Sequence, residues 1–328
     1  MSQASDGPIE YPATSNRADP GPTPEMQTTL ARLAELRENQ GDRYSMPFGE
    51  ARAQLLRERR WWLADAPAMA AIDDSEIASS GRATRVRRYL PAGADQSIEI
   101  VYLHGGGWCV GSLDTHDGIM RRLALAAGCP VTGIDYALAP EHPYPAAADD
   151  VRQIFGALRA ARAPGTRWVL AGDSAGANLA LAEAMRARDA GQPMPQALLL
   201  FYGVYLPMGE SESMRAFGDG RYGLSRVAMQ RYESAYLGGR SVADAAAAFP
   251  LLDGALHGLP PSWIAAAGLD PLRDDSLALA QALHAAGSPA QLRVYDGIIH
   301  GFLSFARLLP AAGQAVGEAA AFAREQAR

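Results

Sequence analysis

The 328-residue chain contains no lysine, so its 30 lysine-or-arginine positions are all arginine. This absence excludes mechanisms that need a lysine amine, such as a Schiff base, a Ser-Lys dyad or a Walker-type phosphate loop. The chain has only 2 cysteines, which excludes a zinc site built from four of them. We expect Cys109 and Cys129 to be buried free thiols rather than a disulfide.

Other features are also missing. The 6 histidines lack the spacing of a metal-binding helix, and we expect neither a metal ion nor another cofactor. The net charge of -6, without a basic cluster, argues against a nucleic-acid partner. The chain has no long apolar run and no signal-peptide pattern at its start, which argues against a membrane. The sequence therefore predicts a cytoplasmic protein.

A repeating alternation of strand and helix patterns is present from residue 97 onward. The predicted strands are 98–103, 130–135, 167–171, 197–202, 262–267 and 291–295. The predicted helices are 117–127, 146–162, 175–188, 274–286 and 314–324. Continuous apolar strands such as 197–202 are typical of a parallel sheet that is covered on both faces. The predicted fold class is therefore α/β, with a mostly parallel central sheet flanked by helices.

The remaining segments differ from this pattern. Residues 1–24 are rich in proline and predict a mobile arm or a strap over the surface. Two amphipathic helices are predicted at 26–37 and 48–63, and an edge strand at 84–90. The alternation breaks between about 204 and 248, which predicts an insertion over the carboxyl edge of the sheet.

A nucleophile motif lies between the strand 167–171 and the helix 175–188. Gly172-Asp173-Ser174-Ala175-Gly176 fits G-x-S-x-G in the strand-turn-helix context of a nucleophile elbow. The two glycines allow strand and helix to approach where a Cβ would clash. The sequence therefore predicts that Ser174 is a nucleophile.

Three consecutive glycines follow the strand 98–103 in His104-Gly-Gly-Gly-Trp108. Such a loop is entropically costly, because glycine loses more conformational freedom than any other residue. Its backbone N–H groups are suited to an oxyanion, with the N–H of Ala175 as a further donor. The loop therefore predicts an oxyanion hole.

The general base is expected to be a histidine that follows both the serine and an acid in the chain. Three histidines follow Ser174. His284 lies within a predicted helix, and His257 lies ahead of a strand, at the wrong end of the sheet. His300 follows the strand 291–295 and is therefore expected at the same edge as Ser174.

The acid is expected at that edge as well. Asp270 follows the strand 262–267, whereas Asp274 and Asp275 suit the first turn of the next helix. The predicted catalytic triad is therefore Ser174, His300 and Asp270.

Five motifs in this order resemble the hormone-sensitive lipase family of α/β-hydrolases over residues 85 to 325. They are His104-Gly-Gly-Gly, the stretch 135–146, Gly172-Asp-Ser-Ala-Gly, the stretch 268–275 and His300-Gly-Phe302. The resemblance implies an α/β-hydrolase fold with Gly106, Gly107 and Ala175 as oxyanion donors. It also implies that Glu141 supports the site from a neighbouring loop.

The resemblance further implies the organisation of the chain. Residues 1–328 form a single domain, with a helical cap from about 1–70 and 204–248 and a catalytic core from 71–203 and 249–328. Large side chains such as Met208, Trp61 and Trp62 are expected to roof the site. Relatives in this family suggest a possible homodimer through an edge strand.

Bacterial members of this family are mostly carboxylesterases and acetyl esterases that act on short acyl chains. We therefore expect a serine carboxylesterase that hydrolyses small-molecule, short-chain acyl esters through an acyl-enzyme intermediate. An amidase or lactonase with the same triad remains an alternative. So does a non-catalytic relative that uses the pocket to bind a ligand, although no member of the triad is missing.

Overall fold

The computed structural model describes residues 21–328, and eight strands within this range form one sheet. Residues 1–20 of the predicted N-terminal arm therefore lie outside the described residues. The strands are β1 (Ala71–Ser79), β2 (Arg82–Leu90), β3 (Ile98–Leu103), β4 (Val131–Ile134), β5 (Arg167–Asp173), β6 (Ala197–Phe201), β7 (Ser262–Leu269) and β8 (Ala290–Ile299).

The sheet has the order β1-β2-β4-β3-β5-β6-β7-β8. The six strands from β3 to β8 run parallel, while β1 and β2 add an antiparallel edge. All residues of β3, β6 and β7 are buried, as expected for central strands covered on both faces. This arrangement confirms the predicted fold class and brings the carboxyl ends of six strands to one edge.

Ten α-helices accompany the sheet within residues 21–328. They are α1 (Pro24–Arg37), α2 (Phe48–Trp62), α3 (Leu113–Ala127), α4 (Ala146–Ala161), α5 (Ala175–Asp189), α6 (Glu212–Phe217), α7 (Arg226–Leu237), α8 (Pro250–Asp253), α9 (Arg273–Ala285) and α10 (Pro310–Gln326). The apolar faces of α4, α5 and α9 join one core cluster, and those of α3 and α10 join the other. Two hydrophobic layers thus enclose the sheet.

Two local features differ from the sequence prediction. Strand β1 had no predicted counterpart, because most of its residues are exposed and it lacks an apolar alternation. Helix α3 begins four residues earlier than predicted. The Ser112 side chain accepts a hydrogen bond from the Thr115 N–H, while Thr115 reciprocates in a capping box.

The insertion between β6 and β7 contains α6 and α7 and is attached to the sheet by buried carboxylates. Asp275 accepts hydrogen bonds from the backbone N–H groups of Tyr205 and Leu206, at 2.8 and 3.1 Å. The adjacent Asp274 accepts one from the Ser213 N–H at 2.8 Å. Both acids lie in the first turn of α9, as predicted, and they also fix the start of the insertion.

None of the helices in residues 21–328 combines the length and the apolar character needed to cross a membrane.

Candidate active site

Ser174 stands at the turn where β5 passes directly into α5. Its φ of 53° and ψ of -118° are strained for a residue with a side chain, as expected for a nucleophile elbow. A Cβ on Gly172 would lie 2.4 Å from the carbonyl carbon of Gly176. A Cβ on Gly176 would lie 1.9 Å from the Leu103 oxygen. These distances confirm that both glycines are needed for the close approach of strand and helix.

The structure brings His300 and Asp270 to Ser174. The Nε2 atom of His300 lies 3.0 Å from Ser174 Oγ, and its Nδ1 atom lies 2.7 Å from Asp270 Oδ2. The other oxygen of Asp270 accepts a hydrogen bond from the Leu272 N–H at 2.8 Å, which orients the carboxylate. Because a carboxylate can only accept, Nδ1 is the donor in the contact with Asp270, and Nε2 is the ring nitrogen that faces Ser174.

The alternative histidines lie elsewhere. His284 is exposed on α9, and His257 is exposed in the loop before β7. Neither lines the cavity above Ser174. Their places agree with the sequence prediction that put them apart from the site.

The glycine loop after β3 lies against the same cavity. Gly106 and Gly107 have φ values of 125° and 58°, which favour glycine. A Cβ on Gly106 would lie 2.1 Å from the Val110 oxygen, and one on Gly107 would lie 2.5 Å from the Tyr232 ring. Within residues 21–328, the N–H groups of these two glycines donate to no protein acceptor. They are therefore free to bind a substrate oxygen.

Asp173 connects the elbow to the glycine loop, a role that the sequence analysis missed. Its Oδ1 atom accepts hydrogen bonds from the Gly105 N–H at 2.9 Å and the Tyr102 hydroxyl at 2.8 Å. His116 Nε2 lies 3.5 Å from the same oxygen. Burial opposes ionisation here, but His116 and these hydrogen bonds together lower the pKa of Asp173. The motif contained this residue, but its partners are distant in sequence.

Glu141 lies on the surface and pairs with Arg52 of α2, through contacts of 2.6 and 2.8 Å. The same guanidinium donates to the backbone oxygens of Cys109 and Ala139, at 2.8 and 2.9 Å. Glu141 therefore contacts the arginine that ties α2 to the end of the glycine loop. A supporting role for Glu141 stays a prediction.

Other reactive groups are poorly placed for catalysis. Cys109 and Cys129 are free and buried, as predicted, and burial raises the pKa of each thiol to about 12. Such thiols are protonated and unreactive. Among the described residues, no group of three His, Cys, Asp or Glu side chains is arranged to hold a metal ion.

The cavity above Ser174 has a volume of about 380 Å³. Its outer wall is formed by α1, α2, α7 and the loop before α7, through side chains such as Leu33, Leu55, Tyr222 and Met229. Met208 does not line it.

The two tryptophans of α2 also lie outside the cavity lining, contrary to the prediction that they roof the site. Trp62 packs on Phe305, with ring centroids 4.9 Å apart. Trp61 lies under the guanidinium of Arg307. Helix α2 presents Leu55 and Arg59, which lie about one turn apart, to the cavity, while its tryptophans pack elsewhere.

A profile described as the alpha/beta hydrolase fold matches residues 100–304, which include Ser174, Asp270 and His300. The acetyl esterase of Salmonella schwarzengrund (strain CVM19633) is 40% identical over 281 residues, which cover 83% of this chain and 85% of that relative.

Solved structures of esterases share the whole architecture. A hyperthermophilic esterase from the archaeon Pyrobaculum calidifontis has a TM-score of 0.85 and 31% identity, over 93% of this chain and 98% of that one. An esterase from the bacterial hormone-sensitive lipase family has a TM-score of 0.82 and 29% identity, over 93% and 99%.

Proposed function

Because this chain belongs to the hormone-sensitive-lipase-type esterases of the α/β-hydrolase fold and is a carboxylic ester hydrolase, we propose that Ser174, His300 and Asp270 are its catalytic triad. The observation that carries the proposal is the continuous chain of short contacts from Asp270 through His300 to Ser174 Oγ. A histidine that faces the hydroxyl with its free nitrogen can accept the proton when the oxygen attacks.

The reaction then proceeds in two steps. Ser174 Oγ attacks the ester carbonyl while its proton moves to His300 Nε2, and Asp270 stabilises the imidazolium. The imidazolium returns the proton to the leaving alcohol, which leaves an acyl group on Ser174. A water molecule, deprotonated by the same nitrogen, then releases the acid and restores the serine.

The tetrahedral intermediate of each step carries an oxyanion. We propose that it is bound by the N–H groups of Gly106 and Gly107, with that of Ala175 at the start of α5. The first two groups have no acceptor within the described residues, and the helix N-terminus adds a favourable dipole. Asp173 is a positioning residue in this scheme, because it holds the loop at Gly105.

We propose that the substrates are esters of short acyl chains and that α1, α2 and the insertion 204–248 act as the cap. The acetyl esterase relative supports a short acyl group. The cavity supports it too, since side chains of the cap segments limit its depth.

Chain-length specificity tests this proposal. With nitrophenyl esters of two to sixteen carbons, kcat/KM should rise towards four or six carbons and then collapse. Each buried methylene contributes about 0.8 kcal/mol until the cavity is full, and longer chains then clash with its wall. The matching nitroanilide is expected to react far more slowly.

A variant pair locates the wall. Met229→Ala should move the optimum to longer chains, because Met229 lines the cavity. Val227→Ala, on the same helix but 66% exposed, should leave the profile unchanged. Undiminished kcat/KM with sixteen carbons in the unmodified protein would contradict a short pocket, and an equally fast anilide would favour the amidase alternative.

We also propose a homodimer that pairs through β8. This strand is the sheet edge opposite β1, and Val294 is exposed on it. Within residues 21–328, no strand pairs with its outer side, where the Thr23 N–H donates to the Gly297 oxygen at 3.2 Å. Such an edge is a surface on which a second copy can add its own strand. Light scattering should give twice the mass of one chain for the unmodified protein. The Val294→Lys variant should have the mass of one chain. A monomer at micromolar concentration would refute this arrangement.

A further inference from the structure

Three arginines in the wall of the catalytic cavity share one carboxylate. Arg37 of α1, Arg43 of the following loop and Arg59 of α2 all line the cavity. The Glu58 carboxylate lies 2.8 Å from Arg37 Nε, 3.4 Å from Arg43 Nη1 and 3.7 Å from Arg59 Nη1. We call this group the arginine cluster. Three cations around one anion leave an excess of positive charge.

Glu58 forms no hydrogen bond with Arg59, because its carboxylate oxygens already accept from other arginines. Arg37 donates to both of its oxygens, which already joins α1 to α2. Burial favours the neutral form of Glu58, but the three arginines outweigh it and lower the pKa of Glu58 to about 2. Glu58 therefore supplies one constant negative charge. Asp42 also acts on Arg43, but it is exposed and its oxygens are held by Ser45 and the Tyr44 N–H.

Arg59 has buried donors without acceptors. Its side chain is 12% exposed, and its Nε and Nη1 atoms are buried with no hydrogen-bond partner in residues 21–328. The Nε atom of Arg43 is in the same condition. A buried charged donor that makes no hydrogen bond is costly. Joining the two helices does not require this third cation.

Another arginine of the same wall shows the contrast. Arg221 lies 2.6 Å from Asp219 and rests on the Tyr222 ring. Its charge is therefore compensated locally. Arg43 and Arg59 also lie near aromatic rings, those of Tyr44 and Phe305, but they share the Glu58 carboxylate with Arg37. The excess positive charge of the wall therefore lies in the arginine cluster.

We infer that the arginine cluster binds a carboxylate carried by the ester substrate itself, so that the preferred substrates are short esters with a free carboxylate in the acyl or the alcohol part. This inference rests on the proposed function of the same cavity. Guanidinium groups suit a carboxylate because they present several donors in a plane. The bound carboxylate would accept from the guanidinium groups of Arg43 and Arg59, which both line the cavity.

Two matched ester pairs test the inference and separate the two positions of the carboxylate. Naphthyl hemisuccinate and naphthyl butyrate differ in the acyl part, while 3-acetoxybenzoate and phenyl acetate differ in the alcohol part. In the unmodified protein, kcat/KM should favour the charged ester in one of the pairs. Arg59→Met should lower that preference about 10- to 100-fold, as expected for a lost charge-assisted hydrogen bond.

Control variants separate recognition from structure. Arg59→Lys should restore part of the preference, because it keeps the charge. Arg152→Met removes one charge from the exposed side of α4, where Arg152 pairs with Asp149, and should leave the preference unchanged. A purely structural role for Arg59 would lower kcat/KM equally for the charged and the neutral ester, and that result would overturn the inference.

A binding measurement keeps the inference testable without turnover. Calorimetry on the Ser174→Ala protein should detect the charged ester of the preferred pair and much weaker binding of its neutral partner. Adding Arg59→Met should abolish the difference. If the charged and the neutral ester of each pair had equal kcat/KM and turnover still required Ser174, the carboxylate preference would be refuted. The proposed esterase function would stand. Absence of turnover with all four esters would refute the proposed function, and the calorimetry would still decide on the carboxylate.

Discussion

Replacing Ser174 by alanine is expected to lower kcat by at least ~10³-fold and to abolish covalent labelling by an organophosphate. The alanine removes the oxygen that lies 3.0 Å from His300 Nε2. In the unmodified protein, one phosphoryl group should be incorporated per chain, and peptide mapping should place it on Ser174. The residual rate of the variant would come from substrate binding and the oxyanion donors.

The matched control for this variant is Ser276→Ala in α9. It also removes a buried serine hydroxyl, and this hydroxyl has no hydrogen-bond partner among the described residues. Turnover and labelling should therefore be unchanged. A phosphoryl group on another serine, or an active Ser174→Ala protein, would show that the nucleophile has been assigned wrongly.

Replacing His300 by alanine is expected to remove nearly all activity, since His300 is the base that contacts the serine hydroxyl. Labelling of Ser174 should slow as well, because the hydroxyl loses the group that accepts its proton. Stopped assays with nitrophenyl acetate and timed labelling by an organophosphate measure both effects.

Two further histidine variants show whether this loss is specific. His257→Ala and His284→Ala change exposed side chains outside the cavity and should retain most of the activity. Thermal unfolding of all three variants would reveal any loss through misfolding. If His300→Ala kept normal turnover while remaining folded, the triad would have to be redrawn.

The strands and helices of the core were predictable because their signals are local. A fully buried strand such as β6 needs a continuous apolar run, and its neighbours in the chain reveal it. The exposed strand β1 has no such run. It forms because β2 offers a pairing edge, and ion pairs such as Arg87 with Asp74 join the two strands. Nothing in the local pattern of residues 71–79 signals this pairing.

The positions of the candidate site residues were predictable for a related reason. Parallel strands place their carboxyl ends at one edge, so residues that follow β5, β7 and β8 are expected at the same edge of the sheet. The distance of 2.7 Å between His300 Nδ1 and Asp270 Oδ2 is set by the tertiary structure. That both residues lie at this edge could be inferred from their positions after predicted strands. The outer wall of the cavity was less predictable, since the local pattern of a segment does not show which of its side chains face inward.

By itself, the sequence determined the elbow at Ser174, the open glycine loop and the succession of core strands and helices along the chain, because each depends on requirements of adjacent residues. Only the tertiary structure decided that Asp173 holds Gly105 and that Trp62 packs away from the cavity. It alone also placed Arg59 in the cavity wall beside a carboxylate that Arg37 already occupies. These contacts join segments far apart in the chain, and their geometry depends on how the helices pack over the sheet.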